Sequence, residues 1–316
     1  IEKNNLDELT HCWFEGVNPW QGKYIKLSEI DKIIPSKKLE ALKLSDCIYL
    51  DDLELPYMEK LKILELHPYQ NHHGYEMNPS EMCIKKFENC PNLEKLTIKN
   101  LWNFFNGALF NKTLGFSGYS TNLHYTDTYG YINVDLSALN KLTKLKNIDI
   151  SDISVTDVKK IQSLPAVEKL SLRVFNLTEN DYLSCSKPFH KIEPPIKDND
   201  LEFFKKSKNL SELYLTLGDP PMTDFLEGWV YSGYTGSGAF LNLINYKIKK
   251  LHLNINIEEN NLDTIQDIIN NITNRFLFLE DLRLTFGVII TEKNFNFNEN
   301  KFNKELKTQI LDFKKF

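Results

Sequence analysis

The stretch CPNLEKLTIKN, residues 90 to 100, decides the fold. Leu93, Leu96 and Ile98 stand at L-x-x-L-x-I spacing behind a Cys-Pro. Taken alone it is one amphipathic strand, in which alternation turns Leu96 and Ile98 inward and Lys95, Thr97 and Lys99 outward. What matters is that the spacing returns. It recurs at Leu39-Leu42-Leu44, Leu61-Leu64-Leu66, Leu145-Ile148-Ile150, Val167-Leu170-Leu172, Leu210-Leu213-Leu215, Ile248-Leu251-Leu253 and Leu279-Leu282-Leu284. One match arises by chance in any leucine-rich chain, whereas recurrence across residues 39 to 286 describes a repeat. A repeat scaffold displays a surface rather than defining a chemistry.

These motifs resemble the leucine-rich repeat proteins, whose unit reads L-x-x-L-x-L-x-x-N/C-x-L. The resemblance implies an α/β solenoid, a horseshoe with a concave parallel β-sheet and with helices and loops on the convex side. Helical spacing in the connecting segments fits that expectation. It is found in PSEMCIKKFENC (79 to 90), VTDVKKIQSL (155 to 164) and NLDTIQDIINNITNRF (261 to 276). In the last, Leu262, Ile265, Ile268, Ile269, Ile272 and Phe276 fall on one face. The first leucines are unevenly spaced. Those at 39 and 61, and again at 145 and 167, are about 22 residues apart, inside the usual repeat range of about 20 to 29. The other steps, 61 to 93, 93 to 145, 167 to 210, 210 to 248 and 248 to 279, are all longer. The short units resemble bacterial or internalin-like repeats. The helical units from 61 to 93 and from 248 to 279 resemble ribonuclease-inhibitor-like or cysteine-containing repeats. The widest step, 93 to 145, predicts a degenerate repeat around YINVDLSAL (131 to 139), where Val134, Leu136 and Leu139 nearly fit.

The flanks differ from the repeat. Residues 1 to 38 carry Trp13, Phe14, Trp20, Tyr24, Ile25 and Leu27 without the consensus and are expected to form an N-terminal cap. Residues 287 to 316 are expected to form a C-terminal cap. There Phe302, Leu306, Ile310 and Phe313 predict an amphipathic helix over the last strand. The solenoid itself, 39 to 286, is interrupted by insertions at 101–131, 178–200 and 218–240.

Charge and composition narrow the partner classes. The chain has 316 residues, 38 basic and 43 acidic. This mildly acidic balance argues against a nucleic-acid or anionic-membrane footprint. Only Arg173, Arg275 and Arg283 among the cations are arginines, the planar forks suited to bidentate recognition. No run approaches the roughly 18 apolar residues of a membrane span, and no signal segment opens the chain. The cysteines, Cys12, Cys47, Cys83, Cys90 and Cys185, are odd in number and not densely spaced. They read as reduced thiols and favour a cytoplasmic protein, although a chain opening at Ile1 leaves a trimmed leader open. Cys47 and Cys90 match the cysteine-containing repeat type and read as buried small apolar thiols. A zinc site from Cys83, Cys90, His72 and His73 would have suitable ligands but lacks a C-x2-C pair.

If the x-L-x-L segments form one sheet, the outward positions make columns. The first reads Lys43, Glu65, Thr97, Asp149, Ser171, Tyr214, His252, Arg283, and the second Ser45, His67, Lys99, Ser151, Arg173, Thr216, Asn254, Thr285. The candidate partner-binding residues on this face are Lys43, Glu65, His67, Lys99, Asp149, Arg173, Tyr214, His252 and Arg283. Tyr and Arg are the types enriched at interface hot spots. The Gly-, Ser- and aromatic-rich insertions add Trp102, Tyr119, Tyr125, Trp229, Tyr231 and Tyr234, a paratope-like composition. The remaining insertion, 178–200 around Cys185, reads as a Pro-rich charged loop.

Enzyme signals are weak. GYTGSG (233 to 238) lacks the Lys-Ser/Thr of a phosphate loop, and GFSG (115 to 118) lacks a full nucleophile elbow. The expectation is therefore a module that binds a protein partner, with no catalytic residues, metal or cofactor. Two other readings stay open: a substrate-recognition adaptor of a ubiquitin-ligase-type complex, and a secreted or host-targeting protein recognising a receptor or glycan.

Overall fold

Each L-x-x-L-x-L match becomes a strand because its period of two gives one wholly apolar side, which is stable only when neighbours cover it. The structure, a computed structural model, describes residues 10–15, 25–26, 37–45, 48–49, 53–67, 83–99, 102–105, 128–131, 133–175, 196–218, 234–258 and 263–289. Among these, nine strands form one open parallel sheet in chain order. They are β1 (His11–Glu15), β2 (Ala41–Ser45), β3 (Ile63–His67), β4 (Lys95–Ile98), β5 (Asn147–Ser154), β6 (Lys169–Phe175), β7 (Glu212–Leu217), β8 (Lys250–Glu258) and β9 (Asp281–Ile289). The architecture is α/β with few helices, and the sheet is not closed into a barrel.

Register carries the repeat. Leu42, Leu64, Leu96, Ile148, Leu170, Leu213 and Leu251 are level with one another, and Leu44, Leu66, Ile98, Ile150, Leu172, Leu215 and Leu253 make the next row. All of them are buried. A backbone joint repeats at the same place. The carbonyl of Glu40 accepts the amides of both Lys62, at 2.8 Å, and Ile63, at 3.0 Å. The carbonyls of Thr10, Lys62, Glu94, Lys146, Glu168, Ser211 and Lys249 do the same for the pair of residues that leads into the next strand. Two lone pairs on one oxygen thus fix each strand to its predecessor.

The first strand was not expected. Residues 10–15 lie in the segment read as a cap, yet β1 pairs with β2 in full register, Cys12 level with Leu42 and Phe14 with Leu44. The proposed degenerate repeat is also corrected. Asn133–Val134 does not enter the large sheet, where β4 pairs directly with β5. It pairs instead with Cys83–Lys85, which pairs with Leu53–Glu54, in a separate three-stranded parallel sheet. A two-residue ladder, Ile25–Lys26 with Ile48–Tyr49, makes a further small parallel pair.

Helix content falls short of the sequence expectation for a physical reason. Between 79 and 90 the described residues form the strand Cys83–Lys85 and the 3-10 turn Phe87–Asn89 rather than an α-helix. Between 155 and 164 the helix α1 is a single turn, Val155–Val158. The buried positions there recur at every third residue and lack the wider helical period: Ile84, Phe87, Cys90, Leu93, and again Val155, Val158, Ile161, Leu164, Val167. A 3-10 turn puts i and i+3 on one side, so this spacing suits tight turns running into a strand. The third segment is a true helix, α2 (Asp263–Arg275), with Ile265, Ile268, Ile269 and Ile272 buried. The expected helix at 302–313 lies outside the described residues. Among the described residues no helix is long and apolar enough to cross a membrane.

One buried charge closes the side sheet. Asp157, fully buried, accepts the Val134 amide at 2.8 Å and the Lys160 ammonium at 2.5 Å. Its own amide is capped by the Ser154 hydroxyl at 3.2 Å. It thereby satisfies a strand amide at the point where the chain turns into α1. Cys90 lies in the core, where burial pushes its thiol up to about 12.

Candidate functional site

Side chains alternate across a strand, so the positions between the buried leucines share the opposite face of the large sheet. Register joins the first outward column without a break: Trp13, Lys43, Glu65, Thr97, Asp149, Ser171, Tyr214, His252 and Arg283 are level in turn. The second column is interrupted. Arg173, Thr216, Asn254 and Thr285 are level, but the register shifts between Ile150 and Ile153, so Ser151 sits in a bulge.

The half of the face over β1 to β4 is a chain of contacts. The Lys43 ammonium stands 4.2 Å from the centre of the exposed Trp13 ring, a cation–π geometry. The same ammonium lies 3.8 Å from the Glu65 carboxylate. Lys95 donates to the other Glu65 oxygen at 2.5 Å. That hydrogen bond, helped by the nearby positive charges, holds the Glu65 carboxyl below its ordinary range. His67 Nδ1 lies 3.5 Å from the Ser45 hydroxyl.

Over β5 to β9 the face sinks into a shallow depression of about 430 Å³. Six of the sequence-predicted residues line it: Lys99, Asp149, Arg173, Tyr214, His252 and Arg283. Lys99 reaches over from the end of β4 to Asp149 at 2.5 Å. The rings of His252 and Tyr214 meet in mid-floor with centres 4.6 Å apart and planes at 79°. This is the edge-to-face arrangement that aromatic quadrupoles favour. Lys169 stands 5.0 Å from the Tyr214 ring centre. The Tyr214 hydroxyl donates to Glu212 at 3.3 Å, and Glu212 also takes Lys250 at 2.9 Å. The Lys250 hydrogen bond keeps Glu212 below its usual carboxylate range. On the last strand, Asp281 accepts His252 Nε2–H at 2.8 Å and lies 3.6 Å from Arg283 Nε. The His252 hydrogen bond is the main reason its carboxyl is held low.

The remaining predicted residues scatter. Lys43, Glu65 and His67 lie on the other half of the same face. Trp102 opens the strand Trp102–Phe105, which pairs antiparallel with Thr128–Tyr131 and so closes the base of the first insertion. Tyr119, Tyr125, Trp229 and Tyr231 lie outside the described residues.

Tyr234 is a correction. It is fully buried rather than presented to a partner. Its hydroxyl donates to Asp198 and accepts the Gly238 amide at 2.8 Å, and its ring meets Phe240 edge-on at 5.8 Å. Asp198 also takes the amides of Ser237 and Phe240, both at 2.9 Å. The Gly-rich stretch is thus a latch between the end of the 218–240 insertion and the 3-10 turn Asp198–Lys206. Gly238 supplies its left-handed φ of 81°, a conformation that costs glycine nothing sterically.

Two features went unread in the sequence. Trp13 belongs to the first column, a position signalled by Leu9-x-x-Cys12-x-Phe14 with Cys and Phe in the ladder places. The ion-pairing set Lys169, Glu212, Lys250 and Asp281 occupies the position just before the second leucine. Its alternating sign was a readable signal. Among the described residues no three His, Cys, Asp or Glu side chains are grouped to hold a metal ion. No protein-family model and no curated protein matches this chain.

Proposed function

We propose that this protein is a recognition module of the leucine-rich repeat kind, without catalysis of its own, that binds a protein partner across the outward face of its parallel sheet. The observation that carries the reading is the depression. Six side chains singled out by sequence periodicity alone, borne on neighbouring rungs, line one concavity. Their chemistry suits an interface centre, since Tyr and Arg dominate hot spots and Tyr214 is already held rigid by His252 and Glu212. The titratable groups of the floor are engaged with one another, His252 with Asp281 and Lys99 with Asp149, which favours a positioning role over proton transfer.

The test is site-specific photo-crosslinking in an extract of the source organism. A benzophenone side chain at Ser171 or Thr216 reports the face, and one at the exposed Lys141, in the 3-10 turn Leu136–Lys141, reports elsewhere. One protein captured from the face positions only, and lost on Arg173→Glu with Arg283→Glu, supports the reading. Capture that is equal at all three positions, or unaffected by the charge reversal, overturns it.

A further inference from the structure

We infer that the depression is built for an extended acidic peptide segment, with Arg173 and Arg283 gripping two carboxylates spaced four residues apart. This rests on the reading of the face as a protein-binding surface and names the chemistry of what it binds.

Charge is the first argument. The chain as a whole is acidic, yet the depression is lined by three cations, Lys99, Arg173 and Arg283, against one carboxylate, Asp149, which pairs with Lys99, while Asp281 and Glu212 stand at its edge, Asp281 3.6 Å from Arg283. The arginines are the second. Of the three in the chain, Arg275 is turned to the scaffold, donating to the carbonyls of Asn242 at 2.8 Å and Ile244 at 3.0 Å. The other two both stand on this face and are exposed, Arg283 with 72% of its side chain accessible. A planar guanidinium on a surface otherwise served by lysine suits bidentate capture of carboxylate.

Spacing is the third argument. Arg173 on β6 is level with Thr285 on β9, and Arg283 lies two residues before Thr285. Three inter-strand steps of about 4.8 Å and two residues of about 3.4 Å put the two Cα atoms about 16 Å apart. An extended peptide laid across the strands spans that distance in between four and five residues, and only even spacings put both side chains on one side. Four is the even choice, the long arginine side chains closing the remainder. Between the arginines the floor carries Thr216 and Asn254, short side chains with donors and acceptors for peptide backbone, beside the paired rings of Tyr214 and His252. The flanking carboxylates Glu212 and Asp281 admit discrete negative charges but oppose a continuous polyanion such as nucleic acid.

The experiment is selection of displayed random twelve-residue peptides on the intact protein, at physiological salt, against the Arg173→Ala and Arg283→Ala double variant. Both positions are exposed on the sheet surface, and circular dichroism and thermal unfolding confirm that the bait is folded. The expected result is enrichment of Asp or Glu pairs four apart on the wild type and its loss on the variant. A recovered peptide, synthesised and titrated by fluorescence polarisation, should lose about tenfold or more in affinity with each single arginine removed, as expected for a charge-assisted hydrogen-bonded pair. Arg283→Lys should recover only part of it. Recovered peptides without acidic enrichment, or acidic peptides held equally by the double variant, overturn the inference. If the photo-crosslinks from Ser171 and Thr216 nevertheless capture one protein, the wider reading of the face survives that failure. If they do not, both fall.

Discussion

His252 on β8 and Asp281 on β9 face each other diagonally across adjacent strands and are joined by a 2.8 Å hydrogen bond from imidazole to carboxylate. That bond holds the Asp281 carboxyl below its ordinary range. Folded Asp281 therefore binds its proton less tightly than the unfolded chain does. The stabilisation is complete above the unfolded value, near pH 4, and disappears as pH falls through the lower folded value. Asp281→Asn should accordingly lower Tm more at about pH 6 than below about pH 3, where the two proteins converge. Thermal unfolding by circular dichroism at the two pH values measures this; a gap of equal size at both means that the charge of Asp281 contributes nothing.

Leu96 and Leu282 hold the same ladder position in an interior and a terminal strand, Leu96 fully buried and Leu282 half-buried. Leu96→Ala should cost about 2–5 kcal/mol, the range for emptying a packed leucine site. Leu282→Ala should cost roughly half as much, because less apolar surface is lost from contact. Urea unfolding compares them, and equal costs would show that the last strand is covered as fully as the fourth.

Asp157→Ala leaves the Val134 amide without its side-chain acceptor and removes a carboxylate that Lys160 contacts. Leaving a buried amide without its acceptor costs about 1–3 kcal/mol. Hydrogen exchange gives the sharper test, because protection should drop first at Val134. A uniform loss across the chain would mean that Asp157 acts on global stability and not on the side sheet.

Cys90 is inaccessible, and burial raises its thiol to about 12, so thiolate is scarce at neutral pH. Alkylation by iodoacetamide at about pH 8, mapped by mass spectrometry, should leave Cys90 unmodified in the folded protein and label it promptly in denaturant. Rapid labelling without denaturant would contradict its place in the core.

The sheet was legible because its signal has a period of two and returns many times. Leu64, Leu96, Ile148 and Leu170 announce themselves, and once they are placed, the outward column from Lys43 to Arg283 follows without further information. The first strand escaped notice because Cys12 and Phe14 occupy the ladder places and Trp13 draws the eye to a cap. The turns were misread for a subtler reason. Val155, Val158, Ile161, Leu164 and Val167 are buried at intervals of three, and over a short window that period is hard to tell from the α-helical one. Tyr234 could not be placed from its neighbours, since Gly, Ser and Tyr compose both surface loops and tight latches. Its fate is set by Asp198, 36 residues away. Nor does periodicity reveal the depression, which depends on register that only the assembled sheet displays.

The carbonyl that takes two amides before each strand has a consequence for how such a protein changes over time. The joint binds the first residues of one rung to the residue before the previous one. It is made alike between the closely set first leucines at 39 and 61 and between the widely set ones at 93 and 145. The chain between rungs is therefore at liberty to lengthen, shorten or be replaced without re-aiming the side chains on the outward face. Point substitution on that face and insertion between rungs become separate routes of variation. A lineage carrying this architecture can vary by either route while the other stays fixed.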